Sequence, residues 1–285
     1  MREPPLPNYL GIDREGLLSH SEVVVEVVPD AESLARTFAR DVADTIRSLN
    51  SIEKAPTLIL PVGPVDQFPI LARIINEERV SLATTVLINM DEYLTDEDDW
   101  LPMDHPLSFR AFMNHSFYDR LDPGLAPKVA NRVFPDPSDL AAVARLIERR
   151  GGVDVCFGGI GINGHLAFNE PPEPESLVDV TDESFAQSPT RVLSLARETR
   201  AINAVTIGGE LGVMPRRCVT LGMREILTAH SLRFYANRPW QAGVVRRALF
   251  GPIGRDCPAS FLRTHPDARL TITEVVAARP EIRLR

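Results

Sequence analysis

Two short runs in the first third of the chain, Thr57–Val62 (TLILPV) and Thr84–Met90 (TTVLINM), read as strands without the polar alternation of a half-exposed sheet. Strands of that composition need cover on both faces, the condition of a parallel sheet between layers of helices. The rest of the chain supplies the partners. Glu22–Val28 is β-branched and reads as a strand. Asp30 is placed to cap a helix whose Leu34, Phe38, Val42 and Ile46 recur on one face. A helix through Ile70, Leu71, Ile74 and Ile75 follows the first apolar run. Pro106–Leu121 and Asp139–Arg150 read as helices, the second stopped by Gly151–Gly152. Further strands are expected at Val153–Phe157, Cys218–Leu221, Leu232–Ala236 and Leu270–Val276, with a helix over Trp240–Phe250 between the last two.

This alternation predicts an α/β fold, a mostly parallel sheet with helices on both faces. No Ser/Gly-rich linker interrupts the 285 residues, so a single domain over 1–285 is expected, with residues 1–20 as an N-terminal arm that begins extended. Ligands of such sheets bind beyond the carboxyl ends of the strands. The loops after Val62, Met90, Phe157 and Ala236 are therefore where chemistry is sought.

The net charge of −8 argues against nucleic acid and anionic membranes as partners, since both favour a basic surface. No apolar run approaches a membrane span, and the N-terminus lacks the apolar stretch of a secretory signal. Cys156, Cys218 and Cys257 are too dispersed for a disulfide framework, which fits a reducing, cytoplasmic setting. His20, His105, His115, His230 and His265 are equally scattered, so no metal site is predicted. No G-x-S-x-G supports a serine nucleophile.

Three segments could carry chemistry. In Asn89-Met90-Asp91-Glu92-Tyr93 an apolar strand ends in two carboxylates. They suit a solvated loop as well as a proton acceptor whose pKa is tuned by partial burial. Residues 159–164 spell G-x-G-x-x-G after a strand, with Asp179 and Asp182 near the distance of a ribose acid. A dinucleotide site also needs a helix there, and Pro171, Pro172 and Pro174 interrupt one within two turns. The glycines instead let the backbone approach a small ligand closely. His165, behind Gly164 and five residues before Glu170, is the best acid–base pair in the chain. The turn Leu60–Gln67 is a poor phosphate cradle, because Pro64 has no N–H and the turn offers no hydroxyl.

NMDEY at 89–93, His105-Pro106 with Ser108, and the GGIGINGHLAFNEP segment at 158–171 resemble the glucosamine-6-phosphate deaminase/isomerase family, relatives of the 6-phosphogluconolactonases. Glu198-Thr199-Arg200 with Asn203, and Val219-Thr220-Leu221-Gly222, add weaker support, so the match runs from about Pro29 to Val276. The resemblance implies a Rossmann-like sheet and a hexosamine 6-phosphate isomerase–deaminase, a hydrolase of carbohydrate metabolism that needs no cofactor. It implies that His165 opens the pyranose ring, that Asp91 moves a proton from C2 to C1, and that Glu170 orients and charge-tunes His165. It also suggests a homo-oligomer, which no motif here specifies. The sugar phosphate is expected to lie against Gly63, Glu92, Gly159, Gly161, Gly164, Arg238 and Gln241.

The chain departs from the family pattern in the residues around the reaction. Asn163 stands where an aspartate usually precedes the catalytic histidine, and an amide cannot stabilise a charged imidazole. Val62-Gly63-Pro64-Val65 replaces the family's phosphate loop, Gln241 replaces a lysine and Val205 an arginine. Arg238 stands near the lost lysine, with Arg216, Arg217 and Arg224 as further candidate anion contacts. Two other readings stay open at this level: an aldose–ketose isomerase or lactonase on a related sugar, and a sugar-binding regulator that kept the pocket and lost the reaction.

Overall fold

The structure, a computed structural model, describes residues 6–64, 66–173 and 180–283; Val65, Pro174 and Asp179 lie outside the described residues. Its strands are β1 (Val24–Val28), β2 (Thr57–Leu60), β3 (Val86–Asn89), β4 (Asp91–Leu94), β5 (Arg132–Val133), β6 (Val155–Gly159), β7 (Arg191–Ser194), β8 (Arg217–Thr220), β9 (Ser231–Ala236) and β10 (Ala268–Thr273). Its helices are α1 (Arg14–His20), α2 (Ala31–Ser51), α3 (Gln67–Glu77), α4 (Phe109–Ser116), α5 (Ala142–Arg150), α6 (Asp182–Ala186), α7 (Arg197–Ala204), α8 (Met223–Leu227), α9 (Gln241–Phe250) and α10 (Glu274–Ala277).

Seven strands form one parallel sheet in the order β1-β10-β9-β6-β2-β3-β5. The sheet is covered on both faces, as its apolar strands require. Leu58, Leu60, Leu87, Val155 and Phe157 face a core built with α2, α3 and α4, while Ile59, Ile88 and Cys156 face one built with α5, α8, α9 and α10. Asp30 caps α2 by accepting the Ser33 N–H at 2.7 Å, and Leu34, Phe38, Val42 and Ile46 are buried beneath it. Gly151 ends α5 at φ 77°, a left-handed conformation that glycine adopts without steric cost.

Cys218–Leu221 does not join this sheet. It forms β8 at the centre of a second sheet, antiparallel, in the order β4-β8-β7. Met90 is where the chain changes sheets. Its N–H donates to Leu60 O at 3.1 Å in the first, and its carbonyl accepts the Leu221 N–H at 2.8 Å in the second. A small core of Tyr93, Leu101, Phe168, Leu195, Ala204, Met214 and Cys218 holds the second sheet against α7.

Where the sequence suggested an N-terminal arm, residues 8–11 form a 3-10 turn and α1 packs on the body. Leu17 is buried in the core. Arg246, fully buried, donates to Ile12 O at 2.7 Å and to the carbonyls of Val276 and Ala277. Leu17 and Ile12 on the core, the Arg246 bonds and an Arg14–Glu274 ion pair thus tie the segment down. Among the described residues no helix is long and apolar enough to cross a membrane.

Candidate active site

Strand order reverses between β6 and β2, and at such a point the loops leaving the carboxyl ends diverge and open a crevice. The turn after β2 and the end of β6 meet there. A Cβ built on Gly159 would lie 3.2 Å from Gly63 O and 3.5 Å from Pro64 Cδ.

Adjacent strand residues point to opposite faces, and this separates the fates of Asp91 and Glu92. Glu92 is fully buried and turned toward the start of α4. Its carboxylate accepts the N–H groups of Tyr93 (2.8 Å), Phe109 (2.9 Å) and Arg110 (2.9 Å) and the Ser108 hydroxyl (3.2 Å), with Arg110 Nε at 3.4 Å. A carboxylate among helix N-terminal amides is a structural anchor. Glu92, expected to touch substrate, has no oxygen left for one. Asp91 is 6% exposed and has no side-chain hydrogen bond among the described residues. Burial, reinforced by the neighbouring Glu92, raises its pKa to about 8.

The loop after β6 carries the second group. The Asn163 side chain accepts the backbone N–H of His165 at 3.3 Å and lies 2.8 Å from His165 Nδ1. The atom that receives a backbone N–H must be the amide oxygen, so Nδ1 carries the ring proton and Nε2 presents a lone pair. The ring is 9% exposed, and burial lowers its pKa to about 4, which keeps it neutral. Its other face of contact is Gly161, where a Cβ would stand 2.0 Å from Nε2, so only glycine leaves room for the imidazole. Gly164, at φ 89°, is held against Cys257 Sγ. Gly159, Gly161 and Gly164 are thus needed for contacts the protein makes with itself, while Gly63 alone of the expected glycines faces open space.

Glu170 lies with Oε1 3.9 Å from His165 Nδ1, and its other oxygen accepts the Ala196 N–H at the start of α7. Burial raises its pKa, an effect that Thr199 and the Ala196 amide partly offset. The segment that aims Glu170 is stitched to β8. Phe168 N–H donates to Thr220 Oγ1 at 3.1 Å, and the buried Asn169 amide donates to Leu166 O and Leu221 O at 2.9 Å each. Thr220 pairs with Asp91 across the ladder. In consequence the His165 loop and Asp91 converge on one strand. The Cys218 thiol on that strand is pushed well up, chiefly by burial and further by Asp91 and Glu170.

A buried carboxyl poised near neutrality and a neutral imidazole with a free Nε2 form an acid–base set suited to moving protons on a small molecule. Glu170 also borders a cavity of about 520 Å3 shared with Phe185, Arg191, Leu193, Ala196 and Arg197, within the range of small-molecule pockets. Among the described residues no group of three or more His, Cys, Asp or Glu could hold a metal ion.

The expected phosphate contacts fare unevenly. Gln241 is 5% exposed: its carbonyl accepts the N–H groups of Asn237 (2.9 Å) and Arg238 (2.8 Å), and its amide donates to Ile160 O at 2.7 Å. It clamps the loop after β9 to the loop after β6, with one amide N–H beyond these three bonds. Arg217 pairs with Asp98 at 2.6 Å and Arg224 with Glu225 at 3.0 Å, while Arg216 is exposed. Arg238 is exposed and makes no ion pair among the described residues. The turn 61–66, Met90-Asp91, the loop 160–172 and the turn 237–241 contain no other arginine or lysine.

Sequence reasoning gave no role to Thr199, Asn169 or the Ala196 amide. Thr199 is fully buried on α7 with Oγ1 3.3 Å from His165 Nδ1. Its place in an E-T-R-x-x-N string was the available signal, and it carried no indication of a partner 34 residues away.

No family model matches the chain. Similar proteins include the glucosamine-6-phosphate deaminase of Beutenbergia cavernae, 31% identical over 90% of this chain and 93% of that protein. That of Rhodopirellula baltica is also 31% identical, over 90% and 95%. A solved monomeric glucosamine-6-phosphate deaminase superposes with a TM-score of 0.76 at 27% identity, over 90% of this chain and 99% of that one. The 6-phosphogluconolactonase of Trypanosoma brucei shares the fold at a TM-score of 0.62 and 17% identity, over 90% and 98%.

Proposed function

As a member of the glucosamine-6-phosphate deaminase family, this chain, we propose, is a cytoplasmic enzyme that converts a hexosamine 6-phosphate and water to a ketose phosphate and ammonia. One observation carries the reading: a bare buried carboxyl, Asp91, and a neutral imidazole with its Nε2 free converge on one strand.

His165 Nε2 takes the proton of the sugar's O1 hydroxyl and returns it to the ring oxygen, so the C1–O bond opens with no net change in the enzyme. Asp91 as carboxylate then removes the C2 proton and delivers it to C1, while one proton of the substrate ammonium passes to O1, leaving a C1 hydroxyl and a C2 iminium. The iminium adds water and releases ammonia. Each such transfer contributes about a hundred- to ten-thousandfold. A substrate ammonium beside Asp91 favours the ionised carboxyl and so draws its pKa down from about 8, which suits the site to an amino sugar. Arg238 takes the phosphate, as the one cation on the rim loops around the crevice.

The test is ammonia release from the purified protein with glucosamine 6-phosphate, galactosamine 6-phosphate and unphosphorylated glucosamine, beside Asp91→Asn. Release that disappears in the variant supports the reading. No release from any of the three sugars overturns it and favours isomerase, lactonase or sugar-binding roles.

A further inference from the structure

Three groups face His165 Nδ1: Asn163 Oδ1 at 2.8 Å, Thr199 Oγ1 at 3.3 Å and Glu170 Oε1 at 3.9 Å. The nearest is a neutral amide, and the one charged group lies beyond hydrogen-bond reach. Among the described residues, Glu170 Oε1 is buried without a hydrogen bond of ordinary geometry, a costly state for a carboxylate oxygen. Thr199 is the missing link between them. Its hydroxyl has one proton to give and lone pairs to accept with, and it is fully buried beside both groups. When it donates to Glu170, its lone pair is left to share the Nδ1 proton that Asn163 Oδ1 receives at 2.8 Å.

We propose that Thr199 is a positioning residue that relays the negative charge of Glu170 to His165 and so supplies the support for a charged imidazole that Asn163 cannot give. The proposal rests on the acid–base reading of His165 above. Glu170 is fixed for the relay from the same helix, since its other oxygen is held by the Ala196 N–H one turn before Thr199. Glu198 and Glu173 are the other charged groups that Glu170 feels, and both work against its ionisation. That makes a hydroxyl donor at 199 more consequential. A purely structural Thr199 would need only its shape, because valine fills nearly the same volume.

The test compares Thr199→Val, Thr199→Ser and Glu170→Gln in the full chain. Thr199→Val is expected to lower kcat about ten- to a hundredfold, the worth of one hydrogen bond to a charged group, with little change in KM. Thr199→Ser, which keeps the hydroxyl, is expected to retain kcat. Combining Thr199→Val with Glu170→Gln is expected to cost no more than the worse single change, because the two act as one unit. The Nδ1 proton resonance of His165, read by NMR on histidine-labelled protein, is expected to move alike in Thr199→Val and Glu170→Gln and to stay in place in Thr199→Ser. This resonance reports the relay even where the chain shows no deaminase turnover, so failure of the relay and failure of the activity are separable. An unmoved resonance in Thr199→Val, or losses that multiply in the double variant, overturns the proposal.

Discussion

Two regions at the same end of the sheet treat their polar atoms in opposite ways. In the crevice, Asp91, Nε2 of His165, Oε1 of Glu170 and the Arg238 guanidinium keep bonding capacity unused among the described residues. In the wall behind it, Glu92 and Gln241 engage their polar groups with backbone amides and carbonyls. Asp91 and Glu92 are the same chemistry one residue apart, yet one is bare and the other collects three backbone N–H groups. Residue type does not separate a reactive group from a scaffold; unsatisfied bonding capacity does. Substitutions in the crevice should therefore impair turnover and spare the fold, and substitutions in the wall should do the reverse.

The largest effect is expected at Asp91. Asp91→Asn should lower kcat about a hundred- to ten-thousandfold. The same change should not harm stability at neutral pH. The folded-state pKa is raised from 3.8 to about 8, so the native protein holds a proton that the unfolded chain has lost, and stability falls as pH rises through that window. His165 acts the other way lower down, its contribution rising with pH between about 4 and 6.5 because the unfolded chain alone is protonated there. Denaturant melts across pH should show the falling limb in the wild type and its loss in Asp91→Asn. For the wild type, kcat/KM should rise with pH toward about 8 as the Asp91 carboxylate forms.

Next in size is Glu92→Ala, which strips a buried ion pair and the amides at the start of α4 of their acceptor. Urea unfolding should show a loss of about 3–5 kcal/mol. A variant that stays stable and loses only turnover would break the comparison by moving Glu92 into the crevice. The smallest effects belong to the β9–α9 turn. Arg238→Ala should raise KM for a 6-phosphorylated amino sugar about tenfold, the scale of one exposed charged contact, and leave kcat and KM for the unphosphorylated sugar alone. Gln241→Leu should cost about 1–3 kcal/mol by leaving two N–H groups and a carbonyl unpaired. If Gln241→Leu raised KM for the phosphorylated sugar without loss of stability, Gln241 would be a ligand contact after all.

The main sheet and its helices were legible because they rest on neighbours in sequence. The four-residue spacing of Leu34, Phe38, Val42 and Ile46, the cap at Asp30 and the unbroken apolar runs of β2 and β3 each report burial directly. The candidates Asp91, His165 and Glu170 were likewise visible, as a carboxylate at a strand end and a histidine five residues before a glutamate in a glycine loop. The segments Asp91–Leu94 and Arg191–Ser194 were not legible as strands. They carry little periodicity, and their ladders join residues far apart in the chain, Asp91 to Thr220 and Arg191 to Thr220.

By itself the sequence determined the α/β architecture, the family and the candidate residues at the strand ends, since composition, spacing and motif order are local properties of the chain. Only the tertiary structure decided which of those residues are free to react. That Glu92 is an anchor, Gln241 a clamp, and Thr199 a neighbour of the His165 ring depends on partners 17, 81 and 34 residues away. Hydrogen-bond satisfaction is a property of three-dimensional neighbours, and no spacing along the chain encodes it.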